Sequence, residues 1–460
     1  MHITNFKKLA KNPLRKKALL IAEAGYEAID ITQSIKRKIK RERIKEGDFL
    51  TIFHQNPEEN GAIKVDLNDY KRVIVFGIGK GSALASITLA KILGQKLTGG
   101  IALDVTLPKL KIKNFKLKIF KGTHPMPSKQ NIKATKEIAK LAKSLNKDDL
   151  LINFICGGGS ALACSGDWEM KDSVEVTKAL TKAGANISEL NAVRKHFSEI
   201  KGGGLAKMAY PATVISLIVS DVCGNDLSTV ASGPTVFDKT TKKSAASILK
   251  KYGLKFPVSR LVETPKDKKY FKNVQNVLFV CNQDAILSML EKSGKLGFDS
   301  RIYSLALEGE AKEIFTPLIK QIKRHESLLI AGETTITFNL TAQNEAPCKC
   351  DGKSEMVGGV GKGGRNQEVI LGALERMSKG KLNAENVVFM SFASDAYDHT
   401  EAAGAIGDSL SAQKAKKAKL DVSDYLCTHS TFEFFQKTGD AVYAKKDCFN
   451  VSDLMLIIRD

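Results

Sequence analysis

Two α/β domains built on doubly wound sheets are predicted by three features of this 460-residue sequence. Short apolar runs rich in Val, Ile, Leu and Phe recur from residue 72 onward, and several are continuous rather than alternating. That is the pattern of parallel strands covered on both faces. Amphipathic stretches follow many of the runs, and strand–helix alternation on this scale implies doubly wound sheets. The chain is also longer than one core usually organises, since domains run to about 100–200 residues.

Taken in order, the expected strands are 73–76, 101–105, 150–155, 213–219, 277–281, 328–331 and 387–393. Helical patterns cover 82–93, 130–145, 241–252, 284–292 and 367–377. The clearest boundary falls within 237–265 and divides the chain into domains 1–245 and 246–460, with the last residues allowed to pack back on the first domain. The Gly- and Lys-rich stretch 346–364 reads as a loop or insertion, and there is no internal repeat.

Composition excludes several classes. With 43% hydrophobic and 26% charged residues the chain matches folded globular proteins rather than disordered or fibrous ones. No apolar run approaches the roughly 20 residues that span a bilayer, and residues 1–20 lack a secretory pattern. Eight scattered Cys do not suggest a disulfide framework. A reduced, cytoplasmic protein is expected. Seventy-one Lys and Arg against 50 Asp and Glu give a charge of +21, which favours anionic ligands. The basic segment 35–45 reads as a helix burying Ile35 and Ile39 beneath a solvated charged face.

Ligands of open parallel sheets bind beyond the carboxyl ends of the strands, so the residues after each run carry the chemistry. The first is GIGKGS, 77–82, where the turn at Gly79 offers backbone donors and Lys80 a positive charge. It is neither a strict GxGxxG nor a Walker A sequence. The second is CGGGSAL, 156–162. Three glycines directly after a strand cost backbone entropy, and close approach of an anion to Gly157, Gly158, Gly159 and the Ser160 hydroxyl is a reason to tolerate it. In NAVRKHFSEIKGGGLA, 191–206, Arg194 suits a forked contact with carboxylate or phosphate, and His196 suits a structural role. Asp221 in SDVCGND can orient Mg²⁺ or accept a hydroxyl proton, and Asp226 can do the same or cap a turn.

Later runs lead to Glu333 and Asp395, two further acids that could serve Mg²⁺, and to Arg365 in a glycine-flanked loop, where a guanidinium can stabilise a phosphoryl group in flight. Asp395, Asp398 and Glu401 do not match a calcium loop. Cys348 and Cys350 read as loop thiols without zinc-site partners.

The strings GIGKG, THPMP, CGGGSAL, LNAVRKHFSEIKGGGLA, SDVCGNDLSTVASGPT, ALEGEA, AGETT, GGRNQE and FNVSDL occur in an order that closely resembles the glycerate 2-kinase family, the bacterial and archaeal type with a C-terminal MOFRL domain. The resemblance runs from about residue 7 to the end. It implies a larger Rossmann-like N-terminal domain, a smaller C-terminal α/β domain and an active site in the cleft between them. The implied reaction moves the ATP γ-phosphoryl group to the 2-hydroxyl of D-glycerate, with Mg²⁺ required. Lys80 and Arg365 match the family's active-site lysine and arginine, Asp221 its acidic residue, and Gly157 to Ser160 its glycine-rich loop. Arg194 and Asp395 also match motif positions, and Mg²⁺ is assigned to Asp221 and Asp395.

Expected partners are ATP and D-glycerate, with no nucleic acid or membrane, in a monomer or homodimer. The alternatives are a kinase for a related small hydroxy acid and an NAD(P)H-dependent hydroxypyruvate reductase, against which the missing dinucleotide fingerprint argues. Three segments depart from the family pattern. TDGxDG is SDAYDHT, with Ala396 and His399 in place of glycines; GTNVND is CFNVSD, with Phe449 and Ser452 substituted; and GSNR is VCNQ, with Cys281 and Gln283. The lost glycines bear on the shape of the substrate pocket.

Overall fold

The computed structural model describes residues 1–56, 59–108, 116–337 and 361–460. The loop thiols expected at 348 and 350, and most of the stretch 346–364, lie outside the described residues. The chain divides into two units, Asp30–Cys281 with Phe449–Val451, and Met1–Ile29 with Asn282–Cys448 and Ser452–Asp460.

The unit that begins at Asp30 opens with a helix, Ile31–Lys38, and an antiparallel meander of β1 (Ile39–Ile44), β2 (Gly47–Asn56) and β3 (Glu59–Asp66). Ile39, expected on the apolar edge of one longer helix, instead starts β1 opposite Ile52. Six parallel strands follow: β4 (Arg72–Ile78), β5 (Leu97–Asp104), β6 (Leu117–Lys121), β7 (Asp149–Ile155), β8 (Thr213–Val219) and β9 (Val274–Val280). Their order is β6-β5-β4-β7-β8-β9, so the chain winds outward from β4 and then returns to β4's other side. Such a reversal marks the switch point beside β4 and β7, where ligands of doubly wound sheets bind at the carboxyl ends.

Burial explains the continuous apolar runs: every residue of β7, DLLINFI, is buried. The polar exceptions lock the register. Arg72 grips Asp149 with two hydrogen bonds, Nε to Oδ1 at 2.9 Å and Nη2 to Oδ2 at 2.6 Å, at the amino ends of β4 and β7. Ile78 therefore aligns with Ile155 at the other end, and the two glycine loops emerge side by side.

In the other unit, β10 (Asp299–Leu307), β11 (Glu326–Gly332), β12 (Val387–Ala393), β13 (Gly404–Gly407), β14 (Ala441–Val442) and β15 (Asp453–Arg459) form a sheet of order β10-β11-β15-β12-β13-β14. Only β10 and β11 are parallel; β15 runs antiparallel to both β11 and β12. This mixed sheet differs from the doubly wound sheet expected from strand–helix alternation, because the final strand inserts into its centre. The helices Phe315–Gln321 and Arg365–Ser378 contribute Phe315, Ile370 and Leu374 to the core, with Phe389, Met455 and Ile457 from the sheet.

The division expected at 245/246 falls inside the first sheet's unit, since β9 pairs with β8. Residues 1–29, expected in the first domain, belong instead with the mixed sheet. Helix Pro13–Ile29 packs on helix Asn282–Lys295. Its fully buried Arg15 donates to Asp408 and Asp440, each at 2.7 Å, and to Ser411 at 2.8 Å. Of the last residues, only Phe449–Val451 join the parallel-sheet unit. Among the described residues no helix is long and apolar enough to cross a membrane.

Candidate functional site

The crevice after β4 and β7 collects most of the expected residues of the parallel-sheet unit. Ile78 ends β4, and the Lys80 N–H donates to the Gly157 carbonyl at 2.9 Å, tying one glycine loop to the other. Gly79 has φ +119°, and a Cβ there would overlap the Cys156 carbonyl, so the close approach of the loops requires glycine. The same holds at Gly157, where a Cβ would fall on the Asp221 carboxylate. Asp221 follows β8, and its Oδ2 also accepts from Asn450 Nδ2 at 3.5 Å. A Cβ at Gly158 would lie 3.3 Å from Lys80 Cγ and 3.2 Å from His124 Cδ2. Lys80, Gly79, Gly157, Gly158 and Asp221 are thus brought together.

One expected phosphate donor is already engaged. The helix after the first loop, Ser82–Leu93, has its Ala83 N–H bonded to Asp104 Oδ2 at 2.9 Å. Burial pushes the Asp104 carboxyl up while backbone amides pull it back. The first turn of this helix therefore already has a carboxylate partner within the fold.

Beside the second loop lies a cleft of about 390 Å³ lined by His124, Gly158, Ser160, Lys178, Arg194 and Lys201, among others. Ser160 shares a 2.8 Å hydrogen bond with Ser232. Lys201 is neutralised by an ion pair with buried Glu169. Arg194 differs: among the described residues it makes one hydrogen bond, Nε to Thr177 Oγ1 at 3.4 Å, and no ion pair. Burial lowers its pKa, which reflects the cost of holding that charge away from water. A carboxylate or phosphate entering the cleft would offset that cost. His196 is structural, as expected: fully buried, with Nδ1 2.7 Å from the Val262 carbonyl and Nε2 3.2 Å from Thr240 Oγ1. Asp226 caps a turn, accepting from Ser228 N and Thr229 Oγ1 at 2.9 and 3.1 Å.

Arg365, Glu333 and Asp395 belong to the mixed-sheet unit. Glu333 follows β11, Asp395 follows β12, and the antiparallel β15 between those strands begins at Asp453. Arg365 gathers two of these acids, Nε to Asp453 Oδ2 at 2.5 Å and Nη2 to Glu333 Oε1 at 2.8 Å. Glu333, expected as a ligand for substrate or Mg²⁺, is here a partner of Arg365. Burial pushes the Asp453 carboxyl up to about 7 while Arg365 pulls it back. The helix that Arg365 begins is anchored by buried Asp398, which accepts from the backbone of Asn366 and Gln367, each at 3.1 Å. Asp395 Oδ1 accepts from Tyr397 N at 3.1 Å.

Sequence reasoning gave no role to His124, Glu169, Thr177 or Asp453. The signal for His124 was THPMP just beyond β6; the Glu169–Lys201 pair has no local signature.

The substituted loops keep left-handed backbone without glycine. Ala396, His399 and Ser452 have φ of 60°, 55° and 79°. Such conformations cost an L-residue roughly 1–2 kcal/mol. His399→Gly, at an exposed side chain, is therefore expected to stabilise the chain by about 0.5–1 kcal/mol after the added freedom of the unfolded glycine is deducted. Urea unfolding checks this, and a destabilised variant would contradict the strained geometry.

Two family models match the chain: a domain of unknown function (DUF4147) at residues 17–264 and the MOFRL family at 326–453. The chain is 31% identical to D-glycerate 2-kinase of Thermotoga maritima over 409 residues, 84% of this chain and 90% of the relative. It is 34% identical over 408 residues to an Agrobacterium vitis chain provisionally named hydroxypyruvate reductase, covering 84% and 87%. The crystal structure of a glycerate kinase from Thermotoga maritima superposes with a TM-score of 0.76 at 28% identity, covering 97% of this chain and 99% of that one.

Proposed function

Because this chain belongs to the glycerate 2-kinase family with a C-terminal MOFRL domain, we propose that it transfers the γ-phosphoryl group of ATP to the 2-hydroxyl of D-glycerate. The observation that carries this reading is the junction of the two glycine loops at the sheet's switch point, with Lys80 N–H on the Gly157 carbonyl and the Asp221 carboxylate against Gly157. Phosphoryl transfer asks little covalent chemistry of a protein; positioning and charge do most of the work.

Lys80 attracts the phosphates and faces charge that develops on the transferring group. The backbone of Gly157 to Gly159 admits the anion closely, and Arg194 receives a carboxylate or phosphate in the cleft. Asp221 is the acid for orienting the attacking hydroxyl, and Asp395 serves the same chemistry. Arg365 supplies a second cation for the transferring group, held by Asp453 and Glu333.

Oxygen donors at Asp221 and Asp395 suit Mg²⁺. Among the described residues neither acid belongs to a group of three metal-ligating side chains. When bound, the ion would neutralise phosphate oxygens.

The test is ADP release by the purified chain with Mg-ATP and D-glycerate, the product being identified as 2-phosphoglycerate by phosphorus NMR. No turnover with any small hydroxy acid would defeat the proposal. Oxidation of NADH or NADPH by hydroxypyruvate, without ADP formation, would put the reductase in its place.

A further inference from the structure

We propose that His2, Asp447 and Cys448 form a binding site for a divalent transition metal of the zinc class. All three belong to the mixed-sheet unit. His2 Nδ1 lies 3.1 Å from Asp447 Oδ1 and 3.6 Å from Cys448 Sγ, and Sγ lies 3.8 Å from Oδ1. A tetrahedral zinc ion, with bonds of about 2.3 Å to sulfur and about 2.0–2.1 Å to nitrogen and oxygen, places such donors roughly 3.3 Å (N to O) and roughly 3.5–3.6 Å (sulfur to either) apart. The metal-free triangle already has nearly those edges.

The donors are held by contacts that need no metal. The backbone N–H groups of His2 and Ile3 donate to the two oxygens of Glu23, at 2.7 and 2.6 Å. Residues 2–5 run against 441–445, with Thr4 N on the Tyr443 carbonyl at 2.8 Å and Lys445 N on the His2 carbonyl at 3.0 Å. The Tyr26 ring stacks on the His2 ring with centroids 6.0 Å apart, which sets the imidazole plane. Little ordering therefore remains to oppose binding.

The chemistry of the set selects the ion. One thiolate, one imidazole and one carboxylate suit Zn²⁺ or Co²⁺, whereas Mg²⁺ and Ca²⁺ prefer oxygen throughout. His2 and Cys448 are buried while the Asp447 side chain is 36% exposed, so water can fill the fourth position from that side. The Cys448 thiol lies 3.5 Å from the Tyr26 carbonyl; on loading, the metal replaces its proton, which leaves to solvent.

The test uses the full 460-residue chain without a histidine tag, stripped by chelator and titrated with Co²⁺ and then Zn²⁺. The expected result is one equivalent of Co²⁺ with a thiolate-to-cobalt charge-transfer band, displaced by Zn²⁺, which also raises the melting temperature. Cys448→Ala should abolish the band, and both Cys448→Ala and His2→Ala should weaken Zn²⁺ binding roughly 100-fold. No band in the wild-type chain at saturating Co²⁺, or a band that survives Cys448→Ala, overturns the proposal. The wild-type titration decides the matter even where a variant fails to fold.

Discussion

Lys80→Ala will lower kcat for ADP formation by roughly 100–1,000-fold, the scale on which loss of one preorganised charge-stabilising group is felt. The Lys80 backbone is fixed by its bond to the Gly157 carbonyl, and its side chain runs beside Gly158. Charge that develops on the phosphoryl group then meets an ammonium already in place, and water cannot substitute for it without reorganising. The side chain is only half-buried, so stability should change by no more than about 0.5 kcal/mol. Lys80→Arg keeps the charge in a wider, planar head and should recover part of the rate. Steady-state kinetics with circular dichroism as the folding control check both variants; an unchanged kcat in Lys80→Ala would remove Lys80 from the reaction.

Arg365→Ala should cost about 1–3 kcal/mol near pH 8, because it removes the charge-assisted hydrogen bonds to Asp453 and Glu333 and the cation that favours the charged form of the buried Asp453 carboxyl. It should also lower kcat. The stability loss depends on pH in a direction that can be worked out. The Asp453 carboxyl has an ordinary value of 3.8 and is pushed up to about 7 in the folded chain. It binds its proton more tightly folded than unfolded, so folding loses stability as pH rises between those values. Removing the guanidinium raises the folded value further, and the loss then continues to higher pH in the variant. The gap between wild type and Arg365→Ala must therefore widen from pH 5 to pH 8. Urea unfolding at both pH values measures it, and equal gaps would show that Asp453 does not titrate against Arg365.

Most of the parallel sheet was legible from the sequence. The runs that became β4, β5, β7, β8 and β9 announce themselves because strands covered on both faces need apolar residues throughout, a property of each segment alone. The loops after β4 and β7 were legible for a related reason: glycines directly after a buried strand are costly unless something approaches the backbone, and each loop approaches the other. The short β6, the half-buried meander of β1 to β3 and the two-residue β14 carry no such signal.

The partners of the functional side chains were not legible. Glu333 was expected as a ligand and proves to be half of the clamp on Arg365, while Asp453, the other half, lies 88 residues away from it in sequence. Asp398 belonged to an acidic cluster without assigned chemistry, yet its carboxylate anchors the helix that presents Arg365. Likewise, nothing in the sequence near Arg15 foretells Asp408 and Asp440.

By itself, then, the sequence determined the strand–helix alternation, the family motifs and the residue types available for phosphoryl chemistry, since these depend on local burial and spacing. Only the tertiary structure decided that the final strand enters the second sheet antiparallel, so that its first residue meets the carboxyl ends of two other strands. Strand direction and long-range ion pairing are set by how distant segments share one core, and no local pattern of residues encodes that.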